Sequence, residues 1–315
     1  MNRKAIIFGV QKYSLTKNEK ILFKNHQPWG IILFSRNIKN TIQLKKLIND
    51  IRNFFDDQKY PILIDQEGGC VSRLSKITDF NFFSQGFFGQ LYKTDKKLFF
   101  KYYKMHINKV CDILKNIGIN INTVPVLDVR RIKSHNIIGT RSFSENKKEV
   151  SHLGKILINY YKKKKIGTVI KHIPGIGLSN CDSHFKTPII KATKKELIKK
   201  DFKPFNKCKS FFAMTGHAIY SVYDPYNTAT HSKIIISKVI RDKMNFNGLL
   251  ISDDISMKAL KYKLKDNAIR SLQAGCNLVL HCNGNIREMS KLTKVIPRID
   301  KFIQKKTSDF YKFLG

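Results

Sequence analysis

Short apolar runs recur along this chain of 315 residues, and the segments between them have the periodicity of helices. The runs lack strict alternation of apolar and polar residues, which predicts strands buried on both faces of a parallel sheet. They cover residues 4–10, 30–36, 61–65, 122–129, 167–173, 211–218, 248–254 and 277–283. About eight βα units in a chain of this length predict an α/β fold, a closed (β/α)8 barrel of the TIM type rather than an open sheet.

Helix starts and ends are marked between these runs. Residues 16–19 and 193–196 have the Thr-x-x-Glu pattern of a capping box. A further helix is expected to leave Ser256 and to end before Gly275, a residue that suits a C-terminal cap. No linker rich in Pro, Gly or Ser divides the sequence. We therefore expect a single (β/α)8 domain over residues 1–315.

Polar residues fall at or just after the predicted strand ends. In a (β/α)8 barrel the carboxyl ends of the strands carry the active site. The residues at these ends are Arg36, Asn37, Asp65, Asp128, Lys171, His172, His217, Asp253 and His281. The alternative to a role in an active site is that some of these residues only cap helices or close the barrel rim by hydrogen bonds. For Asp128 and His281 this structural role has at least equal weight. Residues 70–94 are longer and more aromatic than a tight loop, so we expect them to cross the barrel mouth.

Carboxylates at two strand ends are candidates for chemistry and for sugar binding. Asp253 directly follows a buried run and is expected to face the pocket, whereas Asp254 is expected to cap the following turn. Asp65 and Glu67 precede two glycines that allow a sharp turn over a ligand. Arg141, after a glycine turn, could pair with a carboxylate or hold a polar substrate.

The stretch KHIPGIGLSNCDSH, residues 171–184, combines two histidines with glycine turns. A metal site would place its ligands on regular elements, whereas His184 follows an irregular loop, and the GxxxxGK[ST] phosphate loop is absent. What remains is Lys171 with His172 at a strand end, and a loop in which Asp182 can orient the His184 imidazole for proton transfer. An ordinary surface hydrogen bond is the alternative. We expect no metal and no cofactor.

The composition is strongly basic, with 59 Lys and Arg residues against 23 Asp and Glu residues and a formal net charge of +36. Such a surplus suggests a polyanion as partner. The excess is mostly lysine spread from end to end, so we expect a solvated surface without a specific nucleic-acid site. A salt-sensitive nucleic-acid binder remains the third-ranked alternative.

The cysteines and the apolar segments bear on location. The six cysteines include no CxxC pair and lack the spacing of a secreted disulfide scaffold. The first apolar run stops at Gln11, too early for a signal sequence. No segment approaches the roughly 20 apolar residues that span a bilayer. We expect a monomeric cytoplasmic protein without membrane insertion.

Taken in order, the motifs resemble those of the NagZ-type β-N-acetylhexosaminidases of glycoside hydrolase family three. The family patterns PWGxILFxRN, DQEGGRVxRL, APVLDV, IGxRSF, KHFPGHGxxxxDSH and SDDxSMKAL correspond to residues 28–37, 65–74, 124–129, 138–143, 171–184 and 252–260. The resemblance runs from the N-terminus to about Cys282 and therefore covers nearly the whole chain.

The resemblance implies a barrel that removes terminal N-acetylglucosamine from cell-wall muropeptides (GlcNAc-anhydroMurNAc) during peptidoglycan recycling. Asp253 corresponds to the nucleophile, which forms a covalent glycosyl-enzyme with retention, and His184, paired with Asp182, to the acid/base. The family's sugar-binding positions are matched by Asp65, Arg73, Arg141, Lys171 and His172. In the larger family members the acid/base comes from a second domain, whereas here we expect it from a barrel loop.

Two positions depart from the family pattern. Ile176 stands where the family usually has histidine, and Cys70 stands where it has arginine. Neither change removes the nucleophile or the acid/base, so we expect reduced turnover rather than none. The second-ranked function is a catalytically weakened barrel that binds glycans, which would retain binding without releasing a chromogenic aglycone.

Overall fold

A closed barrel of eight parallel strands forms the centre of the molecule in a computed structural model that describes residues 2–131 and 137–315. The barrel order is β1-β2-β3-β4-β5-β7-β10-β11, and β11 pairs with β1 to close it. The strands are β1 (Lys4–Gly9), β2 (Pro28–Leu33), β3 (Ile62–Ile64), β4 (Ile121–Asn122), β5 (Gly167–Ile173), β6 (Ile189–Ile190), β7 (Phe212–Thr215), β8 (Ile219–Tyr220), β9 (Asp224–Thr228), β10 (Leu249–Asp254) and β11 (Leu278–His281). The predicted (β/α)8 barrel is confirmed.

Strands β6, β8 and β9 form a separate small sheet outside the barrel. The eight predicted strands all occur, but the fourth is much shorter than residues 122–129. Pro125 has no N–H to donate to a ladder. The chain beyond β4 nevertheless stays beside β5, because Leu127 N–H donates to Lys171 O at 2.7 Å. Asp128 therefore still reaches the carboxyl end of the barrel.

Helices surround the barrel. They are α1 (Lys17–His26), α2 (Thr41–Phe54), α3 (Gln85–Thr94), α4 (Lys96–Ile117), α5 (Lys147–Lys163), α6 (Lys194–Lys199), α7 (Leu264–Ala274), α8 (Ile286–Thr293) and α9 (Lys301–Leu314), with a π-helix over Ile235–Lys243. Their buried faces belong to the same hydrophobic core as strand residues such as Ile7, Ile64 and Leu250, which are fully enclosed. Within the two described ranges, every helix is too short or too polar to cross a lipid bilayer.

The predicted helix boundaries are only partly correct. Thr16 and Glu19 form the complete capping box, and Gly275 ends α7 in the left-handed conformation with φ of 116°. The helix predicted from Ser256 is wrong at its start, because α7 begins at Leu264. The Asp254 carboxylate accepts hydrogen bonds from the Ser256 N–H and hydroxyl at 3.1 and 2.8 Å, and this holds the chain in a turn.

Candidate active site

The predicted site residues lie at one end of the barrel, around a cleft with a cavity volume of about 110 Å³. Those that line it are Asp65, Arg73, Arg141, Lys171, His172, His184 and Asp253. Asp182 contacts His184 from the same loop. Parallel strands end at a common face, so residues that are far apart in sequence meet there.

Asp253 and Asp254 divide as the sequence predicts. Asp253 is half-buried and lines the cleft, and its Oδ1 accepts the Asp254 N–H at 2.8 Å. Asp254 turns away to bind Ser256. A carboxylate at the end of the buried strand β10 is held by the barrel itself, which is the rigidity that a nucleophile needs.

The acid/base candidate stands on a loop. The His184 side chain is 60% exposed, and its Nδ1 lies 2.8 Å from Asp182 Oδ1. The same carboxylate oxygen accepts the His184 backbone N–H at 2.8 Å. Because Asp182 occupies Nδ1, Nε2 is the ring nitrogen available to a ligand in the cleft.

An ionic cluster forms the floor of the cleft. Glu67 accepts two hydrogen bonds from Arg141, at 2.8 and 2.9 Å, and its Oε1 lies 2.6 Å from Lys171 Nζ. Asp65 lies 3.2 Å from Lys171 Nζ and 3.6 Å from an Arg73 nitrogen, and it accepts a hydrogen bond from the Thr123 hydroxyl. Three cations thus surround two carboxylates.

The cations keep both carboxylates charged. Burial alone would raise the pKa of Glu67, but Arg141 and Lys171 outweigh it and hold that pKa well below its ordinary value. The pKa of Asp65 is also lowered, because Lys171 and Arg73 overcome the effect of burial. Glu67 in turn raises the pKa of Arg141 against the opposing effect of burial. The cluster is therefore a fixed array of charged donors and acceptors.

His172 is fixed in one tautomer by its two neighbours. Its Nε2 lies 3.3 Å from an Arg141 nitrogen, which can only donate. Nε2 therefore accepts, and Nδ1 carries the proton that it donates to Asp128 Oδ2 at 2.7 Å. Asp128 also accepts the backbone N–H of Ile176 at 2.7 Å. The alternative that the sequence left open for Asp128, a structural role, fits this geometry.

The sequence did not indicate how closely Glu67, Asp128 and His217 contact the candidate site residues. Their position at strand ends was the available signal, but their partners come from distant segments. His217 contacts the residue after the nucleophile candidate, with Nε2 3.0 Å from Asp254 O, and its Nδ1 lies 2.7 Å from Thr230 Oγ1. Burial lowers the pKa of His217 and favours its neutral form.

The remaining strand-end residues close the barrel rim. Arg36 donates to Cys282 O and to Val10 O, and Asn37 donates to Val10 O at 2.9 Å. His281 Nε2 lies 2.9 Å from Glu288 Oε2. These contacts match the rim-closing alternative, which on sequence grounds had at least equal weight for His281.

The two departures from the family pattern occupy different environments. Ile176 is 4% exposed and lines the cleft, whereas Cys70 is exposed and is not among the residues that line it.

Among residues 2–131 and 137–315, no group of three or more His, Cys, Asp and Glu side chains is arranged to hold a metal ion.

Comparison with known proteins identifies the family. The glycosyl hydrolase family 3 N terminal domain matches residues 6–306. The chain is 32% identical over 287 residues to a beta-hexosaminidase of Psychromonas ingrahamii, covering 89% of this chain and 83% of that one. It is 31% identical over 289 residues to the beta-hexosaminidase of Haemophilus influenzae, covering 89% and 79%.

A solved structure has the same fold. The crystal structure of NagZ from Neisseria gonorrhoeae, in complex with N-trifluoroacetyl-D-glucosamine, superposes with a TM-score of 0.88 at 27% identity. The match covers 100% of this chain and 91% of that one. The chain therefore belongs to glycosyl hydrolase family 3, among its NagZ-type enzymes, and is a glycoside hydrolase.

Proposed function

We propose that the protein is a retaining exo-β-N-acetylglucosaminidase that acts on GlcNAc-anhydroMurNAc muropeptides in peptidoglycan recycling. The observation that carries this proposal is the presence of Asp253 and His184 in one cleft, although they lie on different segments of the chain. The relatives named beta-hexosaminidase and the NagZ complex with a glucosamine derivative support the choice of N-acetylglucosamine.

The reaction proceeds in two steps. The Asp253 carboxylate attacks the anomeric carbon and forms a glycosyl-enzyme ester, while His184 donates a proton to the departing glycosidic oxygen. His184, now neutral, then takes a proton from the water that attacks the same carbon, and Asp253 leaves as a carboxylate. Two inversions give net retention. Asp182 orients the imidazole throughout through its 2.8 Å contact with Nδ1.

The ionic cluster holds the sugar. Asp65 offers carboxylate acceptors to sugar hydroxyls, and Lys171, Arg141, Arg73 and His172 offer donors or acceptors around the same cleft. Their mutual ion pairs hold these groups in place before substrate arrives, which reduces the ordering cost of binding.

The proposal is tested by hydrolysis of GlcNAc-anhydroMurNAc by the wild type, Asp253→Ala and His184→Ala. Asp266→Ala and His152→Ala are matched controls, because both side chains are exposed on helices away from the cleft. We expect the first pair to lose hydrolysis and the controls to retain it. Trapping with a 2-fluoro sugar should label Asp253.

Other outcomes would contradict the proposal. Labelling of a different residue would overturn the roles assigned here. Binding of the muropeptide by pure wild-type protein without any hydrolysis would instead favour a glycan-binding barrel.

The proposal also includes a single domain over residues 1–315, a monomeric state and a location in the cytoplasm. In that reducing compartment the six free thiols, such as those of Cys111 and Cys276, stay reduced.

A further inference from the structure

The loop that carries His184 is joined to the segment that follows the nucleophile strand. The N–H of Ala259 donates to Ser183 O at 3.2 Å, and the Thr187 hydroxyl donates to Ala259 O at 2.7 Å. Ala259 thus contacts the loop on both sides of His184. Its two backbone groups are the donor and the acceptor.

A third contact lies beside this pair. The Lys258 ammonium stands 6.0 Å from the centre of the Phe185 ring, at the outer limit of a cation–π interaction. Phe185 is 72% exposed, so the contact is a weak one in water. The two hydrogen bonds at Ala259 are therefore the main connection.

The segment on the other side of this connection is itself fixed to the nucleophile strand. Met257 N–H donates to Asp254 O at 3.1 Å, and Ile255 N–H donates to Leu280 O at 3.0 Å in the neighbouring strand. Residues 255–259 are thus tied to the barrel within a few positions of Asp253. A group that is hydrogen-bonded to Ala259 is therefore held at a fixed place relative to the nucleophile strand.

His184 needs such support because its side chain is mostly exposed. Asp182 orients the ring from two positions away in the same loop. General acid catalysis requires the donor within hydrogen-bond reach of the leaving oxygen. A contact from the loop to the nucleophile segment supplies that constraint.

We propose that Thr187 is a positioning residue for the acid/base: its hydroxyl, through Ala259, holds the His184 loop at a fixed place relative to Asp253. This inference rests on the proposed function. It predicts that loss of the hydroxyl impairs proton donation specifically and leaves attack by the carboxylate intact.

The test compares kcat/KM for a series of aryl and alkyl N-acetyl-β-glucosaminides with Thr187→Val and Thr187→Ser. Poor leaving groups need the general acid, whereas 2,4-dinitrophenolate departs without it. For Thr187→Val we expect kcat/KM on the alkyl glycoside to fall by roughly threefold to tenfold, the factor that one hydrogen bond is worth. The dinitrophenyl substrate should be unaffected, and Thr187→Ser should behave as the wild type.

The matched control is Thr94→Val. Thr94 is exposed at the end of α3, and its hydroxyl also donates to a backbone carbonyl, that of Gln90, at 3.2 Å. The Thr94→Val variant should show the same dependence of kcat/KM on the leaving group as the wild type. Thermal unfolding of each variant checks folding, and Thr187→Ala repeats the test with a smaller side chain.

Three results would overturn the inference: unchanged kcat/KM on the alkyl glycoside for Thr187→Val, an equal fall across all leaving groups, or a Thr187→Ser variant as impaired as the valine. A wild type that cleaves no member of the series would overturn the proposed function, and this inference with it. The two failures are thereby distinguished.

Discussion

The Asp128 carboxylate binds His172 through its ring, with Oδ2 2.7 Å from Nδ1. The same oxygen accepts the His172 backbone N–H at 3.1 Å, and Oδ1 accepts the N–H of Ile176 at 2.7 Å. One fully buried carboxylate thus fixes a sugar-binding candidate and the start of the loop that carries His184.

Asp128→Asn should weaken the hold on both His172 and the start of the His184 loop. The amide keeps the shape but replaces one acceptor oxygen by a donor, which leaves a buried N–H without its partner. We expect KM to rise and stability to fall by about 1–3 kcal/mol, measured by steady-state kinetics and urea unfolding. Asp95→Asn is the control, because Asp95 caps α4 and asparagine caps as well. Equal effects of the two substitutions would contradict this view of Asp128.

Glu67→Gln should destabilise the protein in a pH-dependent manner. The folded pKa of Glu67 is depressed, so its ionic stabilisation is complete above the ordinary pKa of 4.5 and is lost as the pH falls towards the folded value. The stability gap between wild type and Glu67→Gln should therefore be widest at neutral pH and should shrink below pH 4.5. Chemical unfolding at several pH values measures it. Glu145→Gln, at a half-exposed ion pair with Arg130, should show little gap at any pH.

Gly216→Ala should disturb the cleft wall. A Cβ at position 216 would lie 2.4 Å from Ile176 Cγ2 and 3.3 Å from His172 Cβ. We expect a loss of about 1–3 kcal/mol from overpacking, with lower turnover. Ile176→Ala should relieve the clash, so the double variant should be more stable than the sum of the single effects predicts. Strict additivity in thermal unfolding would show that the two residues do not compete for this space.

Ile176→His and Cys70→Arg restore the family residues and should have unequal effects. Ile176 lines the cleft, so an imidazole there adds a polar group beside the ionic cluster, and we expect kcat to rise. The exposed Cys70 side chain lies outside the lining, so an arginine there should change kcat little. The measurement is steady-state hydrolysis of a chromogenic N-acetylglucosaminide. A larger gain from Cys70→Arg would contradict this distinction.

The strand positions and the location of the candidate site could be predicted because they depend on local patterns. A strand buried on both faces is apolar throughout, and the carboxyl ends of parallel strands share one face of the barrel. The start of α7 was less predictable, because the Asp254 carboxylate binds Ser256 and holds a turn there. The start of α6 was predicted correctly, but the partners of its capping residues were not. Thr193 accepts the Glu196 N–H at 3.2 Å, as a capping box requires. The Glu196 carboxylate, however, lies 3.7 Å from Arg131, a partner that only the fold brings near.

The sequence by itself determined the barrel, the strand ends and the motifs that identify the family, because apolar periodicity and residue spacing are properties of neighbouring positions. Only the tertiary structure decided that Glu67 lies between Arg141 and Lys171, that Asp128 holds His172 and Ile176 together, and that Thr187 contacts Ala259. These contacts join distant segments, and their geometry exists only once the barrel has closed.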